Sequence, residues 1–336
     1  MLISTFLTIA TIAQTPSWQP FASPSKASLR GLHSVSDTVA WASGANATIL
    51  RTVDGGSSWK TTPAPAGAGT LDFRDIHAWD AKTAVIMSAG PGTKSRIYRT
   101  TDGGVSWTLA HENKQEKGFF DGMTFWDRKR GILVGDPVDG RFTILTTNDG
   151  GASWQLAGQP AGMPPANEGE GAFAASGTSI AVGKGGRVWF GTGGDKGSRV
   201  FSSTDWGRSW QVSQTPIRHD SASSGIFSVA FQPDGLHGFA VGGDYRKEEE
   251  AEAVLSVTAD GGRTWTAARG LTGFRSVVAI SGRTLVTTGP KGSDVSLDQG
   301  KTWRPMPAPG FHGASLAKKK AWASGSEGRL AGLMLN

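Results

Sequence analysis

One short unit recurs along this chain and limits what the chain can fold into. It reads Ser/Thr-x-Asp-x-Gly-x-x-Trp. The copies are TVDGGSSW at 52–59, TTDGGVSW at 100–107, TNDGGASW at 147–154, STDWGRSW at 203–210, TADGGRTW at 258–265 and SLDQGKTW at 296–303. Each copy has the chemistry of a tight turn between two strands. The Asp carboxylate accepts backbone N–H groups within its own turn. The Gly two residues later supplies a positive φ, and the Ser or Thr hydroxyl adds a local bond. The Trp then opens the next strand and buries a large aromatic face. Four fixed positions recurring six times mark a repeat architecture. The six carboxylates, Asp54, Asp102, Asp149, Asp205, Asp260 and Asp298, are read as holders of turns and not as catalytic acids or metal ligands.

The Asp-to-Asp intervals are 48, 47, 56, 55 and 38 residues, close to the period of about 40–50 expected for a propeller blade. Between the turns a second pattern repeats. In the first copy it predicts strand A over 29–35, strand B over 39–43, strand C over 47–52 and strand D from Trp59. Four short antiparallel strands per repeat make a blade. The ends complete the count. AWASG at 321–325 repeats AWASG at 40–44 and supplies the inner strands of a last blade, with no turn copy after it, while SWQPF at 17–21 supplies a strand D. The expected fold is therefore all-β, a seven-bladed propeller over 14–336 whose ends share one blade and leave no open sheet edge. The two long intervals imply insertions, placed at 183–197 in the fourth blade and 244–252 in the fifth.

Composition narrows the function classes. The chain has no Cys, which excludes disulfides and thiolate metal sites. Its six His show no metal-ligand spacing, and phosphate loops and nucleophile elbows are absent, so no cofactor is expected. The formal charge of +6 is thinly spread, with no Lys/Arg run longer than 318–320. A nucleic-acid footprint would need a basic stripe. Residues 1–13 are apolar and too short to span a bilayer. They read as a secretory leader ending at Ala13, which predicts a periplasmic or secreted protein. No heptads or amphipathic helices point to assembly, and a monomer is expected.

The repeated turn resembles the Asp-box, or BNR repeat, of sialidase-like propellers, in which the motif is structural and lies on the face away from any active site. Over nearly the whole mature chain, the DGGxxW turns, the AWASG-type strands and the N-terminal closing strand resemble the WD40/YVTN/BNR-like superfamily. Within it they are closest to the photosystem II stability/assembly factor family of seven-bladed propellers. That resemblance implies an exported scaffold that binds a partner protein through an arginine-rich patch, here Arg30, Arg74, Arg246 and Arg275.

Function is therefore sought on the opposite, top face, where strand A begins and the D–A and B–C loops lie. Strand starts place Arg30, Arg74, Asp75, Asp121, Glu170, Ser224, Arg275 and His312 there. The B–C loops add Asp136, Tyr245, Arg246 and Lys291. Each blade offers a different polar group at one height, as a site for a protein, carbohydrate or small molecule would. A mixed ring of charges could equally pair with itself. The rival reading is an enzyme. A sialidase-like hydrolase needs three arginines around a carboxylate, a Tyr nucleophile and acidic partners. Tyr245, Glu170 and Asp121 are the candidates, although the Arg-Ile-Pro signature is missing and sialidases have six blades. Another funnel-site enzyme is the remaining alternative.

Overall fold

The computed structural model describes residues 16–158, 162–307 and 309–335. They form seven four-stranded antiparallel sheets arranged as blades. Blade 1 comprises Leu29–Ser34, Ala40–Gly44, Thr48–Thr52 and Lys60–Thr61, strands A to D from the axis outward. The innermost strands of the next five blades begin at Phe73, Phe120, Ile180, Ser224 and Val277. Blade 7 joins Gly313–Leu316, Lys320–Ser324 and Leu330–Met334 to the N-terminal Gln19–Phe21, which pairs with Leu330–Gly332 as the outer strand. The ring therefore closes through its ends, as the sequence predicts. The apolar leader at 1–13 lies outside the described residues. Among the described residues no helix is long and apolar enough to cross a membrane.

The repeated turn works as its chemistry dictates. In the first copy Thr52 Oγ1 donates to Asp54 Oδ1 at 2.9 Å and accepts the Gly56 N–H at 3.0 Å. Ser58 donates its N–H to Oδ1 and its hydroxyl to Oδ2 of Asp54, at 2.9 and 2.6 Å. Those bonds to Ser58 and Thr52 hold the Asp54 carboxyl at about 2, below the usual range. The other five copies repeat the arrangement. Each turn also binds the A–B turn of its own blade, as Gly55 N–H does to the Thr38 carbonyl at 2.9 Å. The turns thus share one face, opposite the D–A and B–C loops. The turn needs a left-handed backbone directly after Asp, and Trp206 (φ 69°) and Gln299 (φ 65°) adopt it where the other four copies use Gly.

The core is a set of interfaces between neighbouring blades. Each repeat Trp leans on the preceding blade. Trp59 meets Trp322 edge-on with ring centroids 5.8 Å apart, Trp107 meets Trp41 at 6.3 Å, and Trp154 packs with Val85 and Phe125. Trp18, which opens the closing strand, packs against Phe311, Val286 and Val295 in the same role. Truncating one such ring to Ala would cost about 3–5 kcal/mol, and seven of them hold the ring together.

One predicted boundary is corrected. Residues 183–197 are not an insertion, because they contain the blade 4 strand Val188–Gly191 and the short turn Lys184–Gly186 before it. The surplus lies upstream, between the outer strand Gln155–Leu156 of blade 3 and Ile180–Val182, where 157–158 and 162–179 are the described residues. The insertion predicted in the fifth blade is real, filling the gap between Gly238–Asp244 and Leu255–Thr258.

Candidate functional site

Four of the inner strands carry a β-bulge near their top end. The register shifts fall between Leu29 and Gly31, Phe73 and Asp75, Phe120 and Gly122, and Ile226 and Ser228. The extra residue in each case is Arg30, Arg74, Asp121 or Phe227. A bulge leaves one residue outside the ladder and re-aims its side chain. All four line the same open basin of about 470 Å³ in the top face, together with His312 of blade 7 and Tyr245 of the blade 5 insertion.

The basin has a floor supplied by the long D–A connection into blade 4. Residues 172–178 leave the rim and cross the funnel mouth. Arg74 Nη1 donates to the Ala174 carbonyl at 3.2 Å, and Arg30 Nη1 reaches the Ala175 carbonyl at 3.5 Å. The Ala172 N–H donates to Asp136 Oδ1 at 3.1 Å, and Ser176 Oγ donates to the Ser276 carbonyl at 3.0 Å. Phe173 stacks on Phe227 with centroids 3.9 Å apart and planes 12° from parallel. Phe274 meets Phe227 edge-on at 4.7 Å, and Tyr245 does so at 6.1 Å, completing an aromatic wall. Gly177 (φ +75°) closes the crossing, and a Cβ there would overlap the Asp75 carboxylate.

The basin carries charges of both signs, with Arg30 and Arg74 on one side and Asp136 and Glu248 in the same lining. Arg74 is paired with Asp72 at 2.8 Å, and Arg30 has no ion-pair partner among the described residues. Burial and the neighbouring Arg74 together lower the Arg30 pKa, though not enough to discharge a guanidinium. Burial and the charges of Arg30, Arg329 and Arg74 hold His312 near 4, neutral at pH 7. On the acid side, burial raises Asp136 to about 6. Burial and the adjacent Asp136 push Asp121 well above the usual carboxylate range. The two acids take up protons as a pair, which weakens their opposition to the arginines. Asp121 Oδ2 is buried without a hydrogen-bond partner.

The other predicted residues lie elsewhere. Asp75 is buried beneath the crossing, where Oδ2 accepts the Met123 N–H at 2.7 Å. Glu170 is ten residues before strand A of blade 4, not at its start, and its buried carboxylate is gripped by Arg199 and by Thr192 Oγ1 at 2.6 Å. It is therefore committed as an ion-pair partner and is not a free acid. Arg275 points into blade 6, where Nη2 and Nε lie 2.6 and 2.7 Å from Asp294 Oδ2, and both residues are fully buried. Burial of the blade interior, not the funnel, claims that arginine. The Ser224 hydroxyl closes a local turn with Ser221. Arg246 and Lys291 are exposed on loops, Arg246 with its guanidinium 5.9 Å above the Tyr245 ring. The hydrolase arrangement of three arginines facing Tyr245 is thus not assembled from Arg30, Arg74 and Arg275. Among the described residues no group of three or more His, Asp or Glu could hold a metal ion.

No family model and no curated protein matches the chain. Solved structures do. A structure of YCF48 bound to D1 peptide superposes with a TM-score of 0.67 at 16% identity, covering 96% of this chain and 100% of that one. The chain is similar in fold to YCF48. A second structure, YCF48 from Cyanidioschyzon merolae, gives 0.64 at 18% identity over 95% and 99% of the two chains. An ancestral GH74 enzyme gives 0.62 at 16% identity, with 94% of this chain on 46% of that one. At these identities the likeness is one of fold. A peptide binder such as YCF48 and an enzyme share the ring, so the ring does not choose between their functions.

Proposed function

We propose that this protein is an exported, monomeric binding propeller that grips a segment of a partner protein in the top-face basin. Arg30 and Arg74 take an acidic group of that segment, and the wall of Phe227, Phe274 and Tyr245 takes an apolar side chain. The observation that carries this reading is the pair of guanidiniums set by bulges into one open, aromatic-walled basin. Arg30 has no counter-charge of its own there. A carboxylate offers these guanidiniums a full opposite charge and bidentate geometry, where the Ala174 and Ala175 carbonyls offer only a dipole. The likeness to a YCF48 structure that holds a D1 peptide supports a protein segment over a sugar. Arg275 and Glu170 are left out of the site because each is already paired in the interior.

The test is affinity capture from the native periplasmic extract with immobilised wild type and an Arg30→Ala/Arg74→Ala variant. The reading expects at least one protein held by wild type and reduced about tenfold or more on the variant. Such a factor corresponds to about 1.4 kcal/mol. Identical recoveries on the two columns refute it.

A further inference from the structure

We infer that residues 172–176 are a resident ligand: the chain fills its own peptide groove with them, and an acidic segment carrying an aromatic side chain displaces them. This rests on the reading of the basin as a protein-binding site and adds its regulation.

The contacts of the segment are those of a bound peptide. Two successive carbonyls, of Ala174 and Ala175, accept from Arg74 and Arg30. One aromatic side chain, Phe173, stacks on Phe227. One N–H, of Ala172, meets Asp136, and one hydroxyl, of Ser176, meets the Ser276 carbonyl. A single stretch thereby touches blades 1, 2, 3, 5 and 6, yet it belongs to no strand of any blade. It is tied down at its ends, by the Gly171–Gly193 bridge on one side and by the Val229 N–H on the Thr178 carbonyl on the other.

The segment can leave without opening a blade interface. Its apolar contacts form a separate small cluster of Ala175, Phe227 and Phe274 with Phe173. The large inter-blade clusters do not include 172–176. Ala172, Ala174, Ala175 and Ser176 are buried in the crossing but are small, and Phe173 is the one large apolar side chain the segment packs down, so little apolar area holds it in place. The segment is also an incomplete ligand, since its carbonyls leave the charge of Arg30 unanswered. A carboxylate at the same place answers it, and a ring on Phe227 replaces Phe173. A partner with both groups therefore outcompetes the resident segment, whereas a neutral chain does not.

The experiment uses the full chain with residues 172–176 each replaced by Gly, and two labelled peptides read by fluorescence polarisation. One peptide is the octapeptide GAFAASGT of 171–178, and the other carries aspartate in place of its two consecutive alanines. The expected result is that the Gly-replaced protein binds the aspartate peptide at least tenfold tighter than wild type does. Adding Arg30→Ala to that protein should remove the gain. A Gly-replaced protein that melts like wild type but binds both peptides no better than wild type overturns the inference. Should that variant not fold, hydrogen exchange of the wild type decides. Amides of Ala172 and Ala175 exchanging ahead of those of Ile226 and Val229 support a displaceable segment, and equal protection overturns it. Failure of the binding reading itself shows separately, as partner capture that ignores Arg30→Ala/Arg74→Ala.

Discussion

Asp75 offers the sharpest physical test of the packing beneath the site. Its carboxyl is buried under the crossing segment, where it accepts the Met123 N–H, and among the described residues no cation is paired to it. Burial raises its pKa from 3.8 to about 8. The folded protein therefore holds this proton at pH 7, while the unfolded chain releases it. The sign follows from linkage: a raised folded pKa gives stability that is complete below pH 3.8 and is lost as pH rises toward 8. At about 1.36 kcal/mol per pH unit, the loss reaches about 4 kcal/mol at pH 7. Asp75→Asn keeps the shape and the acceptor for Met123 but removes the titration. Whatever the amide costs in packing or hydrogen bonding is the same at every pH. Only Asp75 titrates in one protein and not in the other, so the buried histidines and the remaining acids cancel in the difference. Urea denaturation of both proteins at pH 4, 5, 6, 7 and 8 should show the variant gaining on wild type by about 1.4 kcal/mol per unit above pH 4. Parallel stability curves would mean that Asp75 is ionised in the fold and that its burial does not exclude the charge.

Three further outcomes follow from the same geometry. Gln299 is exposed and left-handed (φ 65°) where four turn copies use Gly, so Gln299→Gly should stabilise by about 0.5–1 kcal/mol, read as a higher thermal midpoint. Asp294→Ala strands the buried Arg275 guanidinium and should cost about 3–5 kcal/mol in urea denaturation, while Arg275→Met/Asp294→Leu recovers most of that loss. His33 and His77 pack with ring centroids 4.3 Å apart, and burial lowers His33 to about 4 and His77 well below 6.5. A depressed folded pKa gives stability that is lost as pH falls below 6.5, so His77→Phe should flatten the acid limb of the wild-type stability curve between pH 6.5 and 4.

The ring was legible because its determinants are local. Six Asp turns fix the C–D connection, and the letter-for-letter repeat AWASG identifies where the ends meet. The site was legible only in part, because a side chain's direction is not a local property. Arg30, Arg74 and Arg275 look alike in sequence, each beside the start of an inner strand. The first two are bulge residues and face the basin. Arg275 lies two residues before Val277, and Asp294 on strand C of the same blade, two strands out, draws it inward. Nothing near Arg275 in the sequence signals that pairing. The misplaced insertion has a similar cause. The glycines of 183–197 look like a loop but are ordinary turn and strand residues. The true insertion contains Phe173, Ala174 and Ala175, whose place against the neighbouring blades no local pattern signals. Phe227 and Phe274 were missed for the same reason, since an aromatic at a strand start signals core before it signals a wall.

The uneven repeat lengths take on a physical meaning in this light. The intervals of 56 and 55 residues exceed their neighbours because the turn copies on either side are fixed by their own hydrogen bonds, so surplus chain must leave elsewhere. Both surpluses emerge on the top face, as the described part of the D–A connection, 162–179, and the B–C loop that begins at Tyr245. From there both reach Phe227, one through Phe173 and the other through Tyr245. Loop closure makes such additions inexpensive, since each doubling of length costs only about 0.6 kcal/mol. A ring held together by inter-blade tryptophans can therefore carry them without loss of its core. The two insertions give a symmetric scaffold one asymmetric place, and that is the place where the arginines are bulged inward.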